Sequence, residues 1–361
     1  MKGEFVKTGN VAGYHVEPYH MNGLNWRLAS DEAQRHNIQV VTGFMPAWWT
    51  AQYGIEFGEA FHLDAEVHRT TLDQMQSIIE KRFPWSAAGN DYTGLYAAER
   101  RYGDALIPAL FGSSVSFDDA SGHPYAEPSN LTDRETETLE VPEIKSHPVL
   151  RLLLPETAAG GTTGELGFEG VINIAYKLRG SAMFTDMIEG LKRLQHLYSV
   201  VWETIDTVVH IVRNWQDPQR KKPRFFVNCD CVINMISGAM YRKQLLEYEH
   251  RFRESFDLFG IHTCNWSIDP YLDALTEVGN LDYLDMGPNT DLDRVHRLFP
   301  DLKPAVFYHP ERIRRLGTDE VRKEISELCR RIGAGYILLS DLEAGTPDDN
   351  IQTVYDVAAG F

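Results

Sequence analysis

Cysteine is scarce: four residues in 361, and all of them, Cys229, Cys231, Cys264 and Cys329, lie in the C-terminal half. That number is too small for a disulfide framework, so reduced thiols are expected. Long apolar runs are also missing. No stretch approaches 18 uninterrupted apolar residues, and the opening MKGEFVKTGN lacks the apolar centre of an export signal, so a cytoplasmic location is expected. Basic runs are absent too, with Lys221-Lys222 only a short patch in a chain of net charge -17. Such a surface repels nucleic acid and anionic lipid, which excludes both as partners. There is no internal repeat and no low-complexity tract.

Against these absences stands a regular alternation over the last 140 or so residues. RFFVNC, FGIHTC, LDYLDMG, KPAVFY and GYILLSD each have the length and β-branched or aromatic content of a buried parallel strand. Helical patterns separate them: Tyr241 to Leu258, Pro270 to Val278, Leu292 to Leu298 and Asp319 to Ile332, with a last helix from about Asp349 to Ala358. Thr318 is expected to cap the fourth of these, and Gly333 and Gly335 to close it. Cys329 falls on that helix's apolar stripe with Val321, Ile325 and Leu328, a packing position. Repeated strand–helix units predict an α/β fold, and five in a row favour a (β/α)8 TIM barrel.

The N-terminal half is less regular. NIQVVTGF reads as a first barrel strand, which leaves residues 1–36 as an N-terminal extension and 37–361 as a single barrel domain. The strand runs into an aromatic loop where Trp48, Trp49, Tyr53 and Phe57 either line a substrate pocket or plug the barrel mouth. Residues 112–148, rich in Ser, Asp, Pro and Glu, read as an insertion or lid. GVINIAYKLRG reads as another strand with its exit loop. Met183 to Trp215 is amphipathic, as two helices or one bent one.

Barrel chemistry gathers where strands end. His262 and Cys264 leave one strand two residues apart and so point to the same side, as a pair of metal ligands would. Cys229 and Cys231 leave the strand before it. Both offsets, 229 to 262 and 231 to 264, equal 33 residues, the size of one strand–helix–strand unit, so the two triplets should lie side by side. Later strand ends contribute Asp285, Tyr308, His309, Asp341 and Glu343. Asp230 is expected to face the barrel mouth, and with His309 it is a candidate for catalytic proton work. Trp48, Trp49, Tyr53, Tyr308 and Asp285 are candidates for substrate binding.

The segments MISGAMYRKQLLEYEHRF, GIHTCNWSIDPYLDALTEVGNLDYLDMG, PAVFYHPERIRRLGTDEVRKEI and GYILLSDLEAGTPDDNI resemble successive helix and strand-end signatures of the uroporphyrinogen decarboxylase superfamily. AWWTAQYGIEFGEAFHLD, DALIPALFGSSVSFDD and INIAYKLRG are similar to its earlier segments. The resemblance implies a barrel and two competing chemistries. The decarboxylases proper grip a porphyrinogen through an Arg-rich segment after the first strand, but VVTGFMPAWWTAQYG holds no Arg or Lys. The other branch comprises zinc methyltransferases that work with corrinoid proteins. Their zinc sits on an H-x-C pair, matched by His262 and Cys264, and on a later cysteine near the last strand. That third position falls in LLSDLEAG, which has no cysteine, so Asp341 is the expected third ligand, with Glu343, Cys229 and Cys231 as the other options. The resemblance therefore implies zinc and a separate corrinoid protein as partner, because the D-x-H-x-x-G signature of corrinoid binding is absent. A metal-free decarboxylase or lyase acting on a smaller carboxylated substrate is the alternative. A homodimer is left open.

Overall fold

The computed structural model describes residues 14–17, 37–83, 105–117, 122, 124–150, 166–216 and 225–361. Its centre is a wholly parallel eight-stranded sheet. The strands are β1 (Tyr14–Glu17), β2 (Ile38–Phe44), β5 (Leu166–Glu169), β6 (Phe225–Cys229), β7 (Leu258–His262), β8 (Tyr283–Met286), β9 (Ala305–Phe307) and β10 (Gly335–Leu342). They lie in the order β1-β2-β10-β9-β8-β7-β6-β5. Six of them, β5 to β10, therefore follow one another in sequence order, and β2 pairs with the last. A two-stranded antiparallel ribbon, β3 (Val115–Phe117) with β4 (Pro124–Ala126), stands apart. Most of the expected N-terminal extension, 1–36, lies outside the described residues, but 14–17 add a parallel strand beside β2.

Parity along the strands divides the core in two. Phe226, Phe259, Ile261, Leu284, Val306, Ile337 and Leu339 pack into the large cluster shared with the helices. Their alternates Val41, Val227, Cys229, Tyr283, Ala305, Phe307, Tyr336 and Leu338 form a second cluster on the opposite face. This is the period-2 rule of a pleated sheet buried on both sides. His262 and Asp285 have the parity of the second face, whereas Asn228 and Tyr308 have that of the helix-covered one.

The helices follow the apolar spacing with three differences. GVINIAYKLRG is a helix, Val171–Arg179, and the strand precedes it at 166–169. Val171, Ile172, Ala175 and Leu178 sit on one buried side at helical spacing, which outweighs their β-propensity. Thr318 is the first helical residue of Thr318–Ile332 and not its cap. Gly317 takes the cap position and its N–H donates to Glu320, while the Thr318 hydroxyl meets Asn350 Oδ1 at 3.1 Å. Third, Tyr241 to Leu258 is broken at Leu245 into Gly238–Gln244 and Leu246–Ser255. The 183–215 stretch is two helices, Ala182–Glu189 and Lys192–Gln216, separated at Gly190, whose φ of 66° is left-handed.

Within the expected insertion, 118–121 and 123 lie outside the described residues, and the remainder is anchored to the body. Ser129 and Leu131 donate backbone N–H bonds to Lys177 and Leu178, and Arg179, buried, bonds Leu131 O and pairs with Asp133 and Asp186. None of the helices among the described residues is long and apolar enough to cross a membrane.

Candidate metal centre

The ends of β6 and β7 bring Cys231, His262 and Cys264 together, with one ligand atom from each lying within 4.8 Å of the others. The register explains why. Cys229 is the Cα partner of His262, and the ladder continues one step further through Asp230 N–H to His262 O at 2.8 Å. Two residues beyond the last registered pair, Cys231 faces Cys264, with their Sγ atoms 2.8 Å apart. His262 Nε2 lies 3.1 Å from Cys264 Sγ. Cys264 adopts φ 65°, a left-handed backbone that turns its sulfur back toward the histidine.

Asp285, at the end of β8 and fully buried, stands behind the histidine. Its Oδ2 is 2.5 Å from His262 Nδ1 and accepts a hydrogen bond from Tyr283 OH at 2.6 Å. Its Oδ1 accepts the Thr263 N–H at 2.7 Å. Gly260 makes room for this arrangement: a Cβ there would come within 2.6 Å of the Tyr283 Cβ. Burial opposes a charge on His262, but the adjacent Asp285 carboxylate wins and holds the imidazole well above its ordinary value. The carboxylate keeps the Nδ1 proton, so Nε2 is the atom left to face the sulfurs. The Cys231 thiol is pushed up by its neighbour Cys264 and by burial, as expected where two sulfurs compete for one proton-free state.

Two thiolates and one imidazole are a donor set for a soft or borderline divalent ion, and zinc fits it without net charge left over. A set of three protein donors among the described residues is the number that catalytic zinc sites use.

The structure gathers some expected site residues here and sends others elsewhere. Asp341 is not in the group, and Cys231 stands where it was expected. The register of β10 breaks between Leu339 and Leu342, and Asp341 takes φ 62°, so strand alternation does not govern its direction. Glu343 is exposed, near Arg314. Cys229 is buried in the second cluster, on the face opposite the large helix-shared one, its thiol pushed up by burial. Tyr308 has the opposite parity to Phe307 and turns to the helix-covered face, donating to Glu324 at 2.8 Å. His309 is exposed and caps the helix Pro310–Arg315, where Nδ1 accepts the Glu311 N–H. Trp48 and Trp49 are fully buried against Phe44 and Tyr53, with the Arg82 guanidinium 4.8 Å above the Trp48 ring. The two tryptophans pack in the core, while Tyr53 stays exposed at its edge. Asp285, expected among the substrate-binding residues, bonds His262, Tyr283 and the Thr263 N–H.

Asp230 does not face the cluster. Its carboxyl is buried on the helix side, where the Asn228 amide donates to it at 3.1 Å and to both Glu249 oxygens at 3.0 Å. Gly170 abuts this group, since a Cβ there would lie 2.1 Å from Asp230 Oδ1. Glu249 was missed, although its place on the buried face of Leu246–Ser255 beside Phe252 is a helical-spacing signal. Burial first, and then the facing Asp230, push its carboxyl well above the glutamate range, so it carries the pair's proton. Above the ordinary glutamate value the folded chain thus binds more protons than the unfolded one, and stability falls as pH rises toward the raised value. Glu249→Gln is neutral at every pH and can still bond both partners. It is expected to remove a slope of up to about 1.4 kcal/mol per pH unit from urea-unfolding free energies measured across about pH 5 to 8. Identical slopes in the two proteins would contradict this placement of the proton.

Comparison with protein-family models and with curated proteins finds no match. Among solved structures, the chain is similar to a methyltransferase from Methanosarcina mazei, at 15% sequence identity and a TM-score of 0.54, over 71% of this chain and 77% of that one. At that identity the likeness is one of fold.

Proposed function

We propose that this chain is a (β/α)8-barrel enzyme that moves a methyl group between a small substrate and a separate corrinoid protein, using zinc held by Cys231, His262 and Cys264. The observation that carries the reading is the Cys–His–Cys group at the C-terminal ends of β6 and β7, with Asp285 fixing the histidine tautomer. The barrel reading is supported by the winding. Six parallel strands follow one another in sequence order, and crossovers of the usual right hand would place their helices on one face. The other face is also apolar and buried, which a sheet achieves by curling upon itself. The site then lies at the mouth, where barrel enzymes do their chemistry.

Zinc in this group would polarise the substrate heteroatom, so that oxygen or sulfur leaves as a stabilised anion. The protein's own part is to orient that ion and its substrate. Asp285, with Tyr283 and Thr263, holds the imidazole, and the two thiolates make the centre softer than the Cys–His–Asp set expected from the sequence. Softness favours sulfur over an ether oxygen as the activated atom. Around the group, Met235 and Trp266 are 58% and 52% exposed on loops anchored by the Tyr271 hydroxyl, which bonds Ile233 O and Ile236 O, and by Gly287 N–H to Trp266 O. An exposed apolar rim suits a docking partner, and the described residues of 112–148, anchored through Ser129, Leu131 and Asp133, would form its collar. The metal-free decarboxylase reading is weakened, because Asp230 is enclosed with Glu249 and His309 caps a helix.

The test offers zinc-loaded protein free methylcobalamin with small thiols, and cob(I)alamin with methylated thioethers, while following the cobalamin spectrum. Zinc-dependent interconversion that disappears in Cys264→Ala is the expected result. Zinc-loaded protein that leaves every cobalamin spectrum unchanged would count against methyl transfer.

A further inference from the structure

We propose that Cys231 and Cys264 are also a redox pair, which a peroxide converts from a metal-holding dithiol into a disulfide. The loss of metal rests on the zinc reading above; the disulfide does not. The two sulfurs lie 2.8 Å apart, with both residues partly exposed. Their backbones lie just beyond registered neighbours on adjacent parallel strands, which run about 4.8 Å apart. That spacing falls within the Cα separation a disulfide spans, so the bond needs no rearrangement of the sheet. The loops on either side are held together, with Tyr271 OH bonded to Ile233 O and Ile236 O and Gly238 packed against the Pro270 carbonyl. Neither remaining cysteine competes. Cys229 is enclosed in the second cluster, and Cys329 is enclosed on the helix Thr318–Ile332.

The chemistry balances with a peroxide as oxidant. One thiolate attacks a peroxide oxygen: an S–O bond forms, the O–O bond breaks and hydroxide leaves. The second thiolate then attacks that sulfur: the S–S bond forms, the S–O bond breaks and a second hydroxide leaves. Two electrons pass from the sulfurs to the peroxide. The disulfide has lost both anionic donors, leaving His262 alone, so the ion departs. A dithiol reductant restores the pair by exchange.

Full-length protein, one portion metal-free and one zinc-loaded, is treated with stoichiometric hydrogen peroxide and examined by intact mass, peptide mapping and a chromophoric zinc chelator. The metal-free portion is expected to become about 2 Da lighter, with the peptides bearing Cys231 and Cys264 joined. The zinc-loaded portion is expected to release about one zinc per chain, and dithiothreitol to reverse both changes. Cys329→Ala should behave as wild type. Metal-free protein that stays reduced, or that gains about 32 Da as a sulfinic acid on one cysteine with no joined peptides, would overturn the redox pair. A disulfide in the metal-free portion, with no zinc ever bound in the other, would uphold the pair and reject the zinc reading instead.

Discussion

Alanine at position 285 is expected to lower zinc affinity by about 10- to 100-fold and to destabilise the metal-free fold by about 3–5 kcal/mol. The carboxylate is fully buried and serves three partners, His262 Nδ1, Tyr283 OH and Thr263 N–H. Removing it strands an imidazole that the carboxylate holds in its charged form, together with two buried donors that have no water to turn to. Asp285→Asn separates the two effects. It preserves the volume and most of the packing, but the amide N–H can meet Nδ1 only if that atom is unprotonated, which leaves the ring's remaining proton on Nε2, the atom that faces the sulfurs. Its unfolding free energy should therefore fall less than in the alanine variant, while zinc affinity falls by as much. Urea unfolding and competition against a chelator measure the two quantities. An asparagine variant that binds zinc as wild type would show that the carboxylate supports the fold and not the centre.

The second large effect belongs to Trp48. Its ring is fully buried, tilted against Phe44 at 4.2 Å between centroids and capped by Arg82, which also pairs with Asp348 of the last helix. Trp48→Ala opens a cavity that this rigid neighbourhood cannot close, and about 3–5 kcal/mol of stability should be lost. Zinc content at low temperature should be unchanged. Wild-type stability combined with weakened binding of small aromatic ligands would return the residue to a substrate pocket.

The strands and helices of the C-terminal half were legible because each strand is a short, mostly apolar run and each helix carries a stripe. The meeting of the β6 and β7 ends was legible too, from the repeated 33-residue offset that the Cys229–His262 register now explains. The choice of Cys231 over Cys229 was not legible. It depends on the short 3-10 turn Cys231–Met235, which begins where strand alternation stops. Asp341 failed for the same physical reason, since a left-handed residue at a register break points where no periodicity can say. Asp230 and Tyr308 were misdirected by a neighbour's parity: each follows a residue of the second cluster, Cys229 or Phe307, and so turns to the helices. GVINIAYKLRG was misread because β-branched residues dominate it, although their helical spacing was already present. Roles that arise only across elements, such as Asp285 holding His262 or Glu249 sharing a proton with Asp230, leave no mark in a single segment.

The measurement that bears most directly on the metal centre is the zinc content of the protein purified without chelator, beside Cys231→Ala and Asp341→Ala. The Cys231–His262–Cys264 centre requires about one zinc per chain in the wild type and in Asp341→Ala, and none in Cys231→Ala. A wild type that stays metal-free after zinc supplementation, or zinc that survives the loss of Cys231 and departs with Asp341, would contradict it.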